Sequence, residues 1–144
     1  MVVASRPKDA LEETDALTLS QAAVLSISSQ INDLKQLKDG WFNGDGKVVS
    51  AEGWDWVEKH LNSYFADMPT PYLYPTIEGG IRVEWSVGNN GWEVSLDINP
   101  AEQTGYWHAF RLRDDMTEEQ SLNLNDPRQW GWISEQILLK EGQV

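Results

Sequence analysis

The sequence predicts an α+β fold with an N-terminal helix pair, a three- to four-stranded antiparallel sheet and a C-terminal helix. Two stretches before residue 70 carry apolar side chains at the three- and four-residue spacing of helices. Residues 81–98 instead alternate apolar and polar side chains, which is typical of strands with one buried face. An Asp-Pro pair at 126–127 then indicates the start of a last helix.

Length and composition predict one folded unit. At 144 residues the chain is near the commonest size of a single domain. Residues 1–16 contain Pro7 and five charged side chains between Lys8 and Asp15, with little apolar periodicity. We therefore predict a flexible arm over residues 1–16 and a single α+β domain over residues 17–144.

Two helices are predicted before residue 70. The first begins near Thr18 or Ser20 and ends at Asp39-Gly40, because glycine readily takes the left-handed conformation after a helix. Ser50 is expected to cap the second helix, and Met68-Pro69 to end it. Their apolar stripes comprise Val24, Ile27, Ile31, Leu34 and Leu37, and Trp54, Val57, Leu61, Tyr64 and Phe65.

Residues 81–98 predict a β-hairpin with a defined register. The apolar side chains that share one face are Ile81, Val83, Trp85, Val87, Trp92, Val94, Leu96 and Ile98. A two-residue type I′ turn at Asn89-Asn90 places Val87 opposite Trp92. On the other face it places Arg82 opposite Asp97. A slip by one residue would turn the apolar side chains of one strand to solvent, so the register is strongly specified.

The remaining elements are a third strand, a weaker fourth strand and a final helix. The third strand covers Tyr106–Leu112, and the fourth covers residues 121–125. Asp126 is expected to cap the last helix with Pro127 at its first position, and the helix ends before Gly142. The side chains expected on one side of the third strand are Tyr106, His108, Phe110 and Leu112, and those that the helix buries are Trp130, Ile133 and Ile137.

The charge balance favours a protein partner over a nucleic acid. The chain carries 23 acidic and 11 basic side chains, which gives a net charge of −12. Because direct nucleic-acid binding requires Lys and Arg to neutralise phosphates, we do not expect it here. An acidic protein can instead bind a basic protein surface. The alternative is that the charge keeps a protein with eight tryptophans in solution.

Several classes of protein are not expected from this composition. The sequence contains no cysteine, which excludes disulfides, thiolate metal sites and cysteine nucleophiles and fits a cytoplasmic location. It contains no run of eighteen apolar residues, so no transmembrane helix is expected. The N-terminus lacks the apolar segment of a secretory signal. The oligomeric state is not indicated.

The loop between the first two helices has the spacing of a calcium-binding EF-hand. Counted from Trp41, Asn43 and Asp45 fall at positions 3 and 5, a glycine at 6 and Glu52 at 12. Trp41 at position 1 offers no side-chain oxygen, so one ligand is missing. Calcium at Asn43, Asp45 and Glu52 is therefore an alternative to a simple turn in which Phe42 and the preceding tryptophan form a hydrophobic plug. We expect no cofactor.

Catalysis is not expected from these residues. His60 and His108 lie in different predicted elements and show no metal-ligand spacing. Glu84 and Glu93 share the polar face of the hairpin and can approach each other diagonally. Paired carboxylates can perform glycosidic acid–base chemistry, which keeps a hydrolase as an alternative. Because antiparallel sheets commonly expose one face to water, a solvated polar face explains the same pair, and we expect a non-enzymatic protein.

Tryptophans and acids that the predicted core does not need are the candidates for contact with a partner. Tryptophan anchors frequently dominate binding energy, and carboxylates steer the encounter with a basic surface. The expected partner-binding residues are Trp56, Glu84, Glu93, Trp107, Asp114, Asp115, Glu118, Glu119 and Trp132.

Three motifs also carry a family resemblance over about residues 30–100. They are the loop Gly40-Trp-Phe-Asn-Gly-Asp-Gly46, the turn Pro75-Thr-Ile-Glu-Gly-Gly80 and the pair Glu84-Trp85. This combination resembles a group of small bacterial proteins, mostly uncharacterised, with a Gly-Trp-x-x-Gly-x-Gly loop followed by Pro-Thr-x-x-Gly-Gly and Glu-Trp motifs. The resemblance implies a shared fold but assigns no activity, catalytic residue or cofactor, and it favours an antitoxin, immunity or anti-defence role. Our first hypothesis is thus a small acidic inhibitor that occludes a basic partner protein.

Overall fold

A computed structural model describes residues 19–88 and 91–142. The arm predicted over residues 1–16 and the turn at Asn89-Asn90 lie outside the described residues. The elements in chain order are α1 (Leu19–Leu34), α2 (Ala51–Phe65), β1 (Tyr72–Pro75), β2 (Ile81–Val87), β3 (Trp92–Asn99), β4 (Thr104–Arg111), β5 (Met116–Asn123) and α3 (Pro127–Glu141). This order confirms the α+β class, with two helices before the sheet and one after it.

The sheet is antiparallel and has five strands in the order β1-β2-β3-β4-β5. The prediction of three to four strands was therefore too low by at least one. The missed strand, β1, lies in the proline-rich stretch that was expected only to connect α2 to the hairpin. It pairs with β2, with Tyr72 opposite Glu84 and Pro75 opposite Ile81. Proline is tolerated there because β1 is an edge strand.

The hairpin register predicted from the sequence is confirmed. Val87 lies opposite Trp92, and Ile81 lies opposite Ile98. Arg82 lies opposite Asp97, and its Nε donates to Oδ1 of that carboxylate at 2.7 Å. β4 closely matches the predicted third strand, whereas β5 begins at Met116, five residues before the predicted fourth strand.

The core lies between one face of the sheet and the helices. The buried side chains of β2 and β3 are the eight that the alternation predicted. They are joined from the helices by Ile27, Ile31, Trp54, Val57, Leu61, Phe65, Trp130, Ile133 and Ile137. None of the helices in the described part of the chain is long and apolar enough to cross a membrane.

The helix boundaries follow from local hydrogen bonds. The Ser50 hydroxyl accepts from the backbone N–H of Gly53 at 3.0 Å, and an Asp126 carboxylate oxygen accepts from that of Arg128 at 3.0 Å. Both predicted caps are thereby confirmed. α1 ends at Leu34 rather than at Asp39, because the N–H groups of Gln36 and Leu37 bond three residues back, to Asp33 and Leu34, in a turn that replaces the helical ladder.

The outer edge of β1 is covered by a side chain of α1. Nε2 of Gln30 donates to the carbonyl oxygen of Pro71 at 3.0 Å, and its Oε1 accepts from the N–H of Leu73 at 2.8 Å. The amide thus satisfies one donor and one acceptor, as a further strand would. This edge is therefore closed to another chain at these two groups.

Candidate functional site

The side of the sheet that faces away from the helices carries both exposed aromatic and acidic side chains. We call this side the open face. Its members alternate along each strand with the buried core residues. They are Tyr72, Tyr74, Arg82, Glu84, Ser86, Glu93, Ser95, Asp97, Tyr106, His108, Phe110, Thr117, Glu119 and Ser121.

Three tyrosines of the open face are well exposed. Tyr72 is 66% exposed, Tyr74 is 46% exposed and Tyr106 is 39% exposed. The first two come from β1, so the sequence analysis, which did not predict this strand, missed them. A strand assignment would have identified them, because alternate residues flank the buried Leu73.

The open face has more negative than positive charge. It carries four carboxylates against the single guanidinium of Arg82. Asp97 binds that guanidinium with two hydrogen bonds of 2.7 and 2.9 Å, and these bonds raise the pKa of Arg82. Ser86 donates to Glu93 at 2.9 Å, and the hydroxyl of Tyr106 donates to Glu119. Both donors are neutral hydroxyls, so neither hydrogen bond places a cation beside Glu93 or Glu119.

The two glutamates predicted to approach diagonally do line one depression of the open face. This cavity of about 270 Å³ is bounded by Glu84, Glu93, Ser95, His108 and Phe110, together with the backbone of β3. A second depression of about 630 Å³ lies at the other end of the face, near the Gly79-Gly80 turn. Both are open to solvent, and both can receive side chains that project from a partner.

The predicted tryptophan anchors are not equivalent. Trp107 is completely buried, so the expectation that it lies outside the core is wrong. It lies opposite Leu96 on the core side of the sheet and packs edge-to-face on Trp132, with ring centroids 5.4 Å apart. Trp132 and Trp56 are half-buried. Trp56 packs against Trp130 at 5.8 Å between centroids, on the helix side of the sheet.

The remaining predicted acids lie at the β4–β5 end of the molecule. Asp114 is held by two hydrogen bonds of 2.8 and 2.6 Å from Arg111, which lower its pKa to about 2. Asp115 is exposed in the same turn. Glu118 projects from the core side of β5 and binds Nζ of the buried Lys140 at 2.8 Å. Of the six predicted acids, Glu84, Glu93 and Glu119 therefore share the open face.

The loop considered as a calcium site forms a small hairpin. The backbone N–H and C=O groups of Phe42 and Asp45 bind each other at 2.8 Å in both directions. The Trp41 indole packs on Gly46, whereas Phe42 is 50% exposed and does not act as the expected plug. Within residues 19–88 and 91–142, no group of three or more His, Asp or Glu side chains is arranged to hold a metal ion.

Comparisons with known proteins do not place the chain in a family. No protein-family model matches it, and no solved structure matches it. Glutamate decarboxylase 5 of Arabidopsis thaliana is 27% identical over 123 residues. That match covers 83% of this chain but 23% of the plant protein, so the chain spans less than a quarter of its relative.

Proposed function

We propose that this protein is a small acidic, non-enzymatic binding module whose open face occludes a basic surface of a partner protein. Antitoxins, immunity proteins and anti-defence inhibitors act in this manner. The observation that carries the proposal is the mixture of three exposed tyrosines and four carboxylates on one face of a regular sheet. Tyrosine is enriched at binding hot spots because it buries a large area at a small entropic cost.

The open face is suited to binding because its backbone is already ordered. β2, β3 and β4 are paired along nearly their whole lengths, and their opposite side is anchored by the buried Trp85, Trp92 and Trp107. Little conformational entropy is therefore lost when a partner docks. A rigid surface converts more of its contact energy into affinity than a surface that must first fold.

Electrostatics supports a basic partner. A net charge of −12 attracts a cationic protein over a distance comparable to the Debye length, about 10 Å at 0.1 M salt. The carboxylates of Glu84, Glu93 and Glu119 then face the partner at close range. Aromatic contacts would supply the affinity, and the charges would supply the rate and the choice of partner.

The experiment is capture of partners from the native host on the immobilised protein. Proteins retained by the parent are compared with those retained by Tyr72→Ser/Tyr74→Ser and by Glu84→Gln/Glu93→Gln. We expect either pair to weaken binding of a basic protein roughly tenfold or more, the effect of losing one hot spot. Raising salt from about 0.05 to about 0.5 M should weaken it further.

A matched control lies on the helix side of the molecule. Leu139 is 58% exposed on α3, so Leu139→Ser removes a similar exposed apolar group without touching the open face. It should retain the same proteins as the parent. Equal retention by the parent and both open-face variants, at both salt concentrations, would rule out the proposal.

A further inference from the structure

The two edge strands of the sheet differ in how far their outer backbone groups are protected from pairing with another chain. β1 is four residues long, ends in proline and has Gln30 bonded along its outer side. β5 is eight residues long and contains no proline. Long edge strands that lack such protection are the usual sites at which another chain adds a strand.

The hydrogen-bond phase of β5 identifies the backbone groups that face outwards. The N–H of Leu124 donates to the carbonyl oxygen of Gln103 at 2.8 Å, on the β4 side. In an antiparallel ladder every second residue bonds to the same neighbour. Thr117, Glu119 and Ser121 therefore direct their N–H and C=O groups away from β4, in the plane of the sheet.

Side chains bond to the outward backbone groups of β5 that lie nearest to α3. The N–H of Asn123 donates to Oε1 of Gln129 at 2.7 Å, which closes the edge next to α3. The carbonyl oxygen of Ser121 accepts from Nε2 of Gln120 at 3.2 Å, a bond that an exposed side chain can release. Among the described residues, no backbone hydrogen bond reaches the outward groups of Thr117 and Glu119.

We propose that β5 receives an extended, basic segment of the partner protein as a sixth strand. The inference rests on the proposed function, because it assigns a binding mode to the same class of partner. Main-chain hydrogen bonds to Thr117, Glu119 and Ser121 supply the pairing. Such strand addition takes its affinity from the backbone and its specificity from alternate side chains.

The charge of this edge selects a cationic segment over a second copy of the chain. Residues 114–123 contain four acids and no base. Pairing two β5 strands from two copies would bring these acids together between molecules that each carry a net charge of −12. A lysine- or arginine-rich strand would instead place positive charges beside these acids. One of the acids, Glu119, is also one of the three residues whose backbone groups point outwards.

Both sides of the added strand have a defined environment. Side chains on one side would extend the open face beside Glu119 and His108. Those on the other side would enter a cavity of about 460 Å³ that is lined by Gln120, Gln129 and Trp132 and by the ion pair of Asp126 and Arg128. The half-buried indole of Trp132 can then contact the partner, as the sequence analysis expected, but at the sheet edge.

The test uses the whole protein and a synthetic probe, a capped heptapeptide that alternates lysine with valine. Amide hydrogen exchange is measured by NMR with and without peptide at roughly 1 mM, the range of weak complexes. At half-saturation we expect exchange at Thr117, Glu119 and Ser121 to slow roughly twofold, whereas the ladder amides of Glu118 and Gln120 change little. A peptide with glutamate in place of lysine should leave every rate unchanged.

Two substitutions of one residue separate backbone pairing from side-chain contact. Ser121→Pro removes an outward N–H without removing a ladder bond to β4, and it should weaken peptide binding roughly tenfold. Ser121→Ala removes the hydroxyl but keeps the N–H, so Ser121→Pro should weaken binding clearly more than Ser121→Ala does. If Ser121→Pro unfolds the protein, the exchange pattern of the parent still decides the question.

Three outcomes would overturn the inference. The first is binding of the lysine peptide that perturbs Tyr72 and Tyr74 without protecting β5, which leaves the proposed function intact. The second is no binding of the peptide at roughly 1 mM. The third is a dimer of this chain that protects the outward amides of β5, which would assign the edge to a second copy. Failure of the open-face capture experiment, by contrast, would remove the proposed function itself.

Discussion

The pair formed by Lys140 and Glu118 offers the sharpest test of how the core is built. The Lys140 side chain is 3% exposed, whereas that of Glu118 is 39% exposed. Nζ of Lys140 lies 2.8 Å from Oε1 of Glu118 and 4.3 Å from the centroid of the Trp92 ring. The ammonium is thus held by a carboxylate and by the face of an aromatic ring. The informative variants are Glu118→Gln, Lys140→Met and the double variant.

These contacts determine how much each substitution should lower the free energy of unfolding. A hydrogen bond between charged groups contributes about 1.5–3 kcal/mol, and partial solvation of Glu118 reduces the effect of Glu118→Gln to about 1–2 kcal/mol. Lys140→Met keeps an unbranched stem of similar length over Trp92. It loses the ion pair and a cation–π contact worth about 1 kcal/mol, but it also removes the cost of burying an ammonium, so we again expect a net loss of about 1–2 kcal/mol. Because both substitutions remove the same ion pair, the double variant should lose about 1 kcal/mol less than their sum.

Urea unfolding followed by tryptophan fluorescence measures these free energies by linear extrapolation. The control is Arg128→Gln, which breaks an ion pair whose arginine is 90% exposed and should leave the free energy of unfolding close to that of the parent. Additive effects of Glu118→Gln and Lys140→Met would refute the reasoning. So would a Glu118→Gln variant as stable as the parent.

Three further predictions concern a cap, a carboxylate and two glycines. Ser50→Ala should lower the free energy of unfolding by about 1 kcal/mol in urea titrations, because a helix cap is lost, whereas Ser50→Asp should restore most of it. The Arg111 guanidinium holds the pKa of Asp114 at about 2, below its ordinary value of 3.8. Its stabilising effect is therefore present above the ordinary value and lost as the pH falls towards 2. A carboxyl NMR titration should show this, and Arg111→Gln should return the pKa towards its ordinary range. Gly88→Ala should destabilise more than Gly44→Ala in thermal unfolding. Both have positive φ, but only at Gly88 would a Cβ lie 2.3 Å from a carbonyl oxygen of α3. Equal losses for the two glycines would contradict this.

The sequence predicts an element best where the pattern within that element determines its position in the fold. Eight apolar side chains on one face of β2 and β3 determine the hairpin register, and the turn between them adds a consistent constraint. That register also placed Glu84 and Glu93 on the polar face. The two later helices were equally predictable, since each begins with a side chain that caps the backbone.

Elements whose place depends on their neighbours were missed. β1 contains only one buried apolar side chain, Leu73, and its pairing with β2 is supported by Gln30, which lies 43 residues earlier. The first half of β5 is polar because it forms an edge, so no alternation marks it. Trp107 was predicted to lie outside the core because Tyr106, His108 and Phe110 form the face of β4 with more aromatic side chains. Its burial follows from packing on α3, which no local pattern reveals.

The contact of Gln30 with β1 also limits how copies of this protein can associate. Head-to-tail stacking of sheets would require the β5 edge of one copy to pair with the β1 edge of the next, and such contacts grow into filaments. Gln30 already binds two of the backbone groups that this edge would contribute, the N–H of Leu73 and the carbonyl oxygen of Pro71. One side chain of α1 therefore blocks pairing at two groups of this edge, and we expect the concentrated protein to form no fibres by head-to-tail pairing of sheet edges.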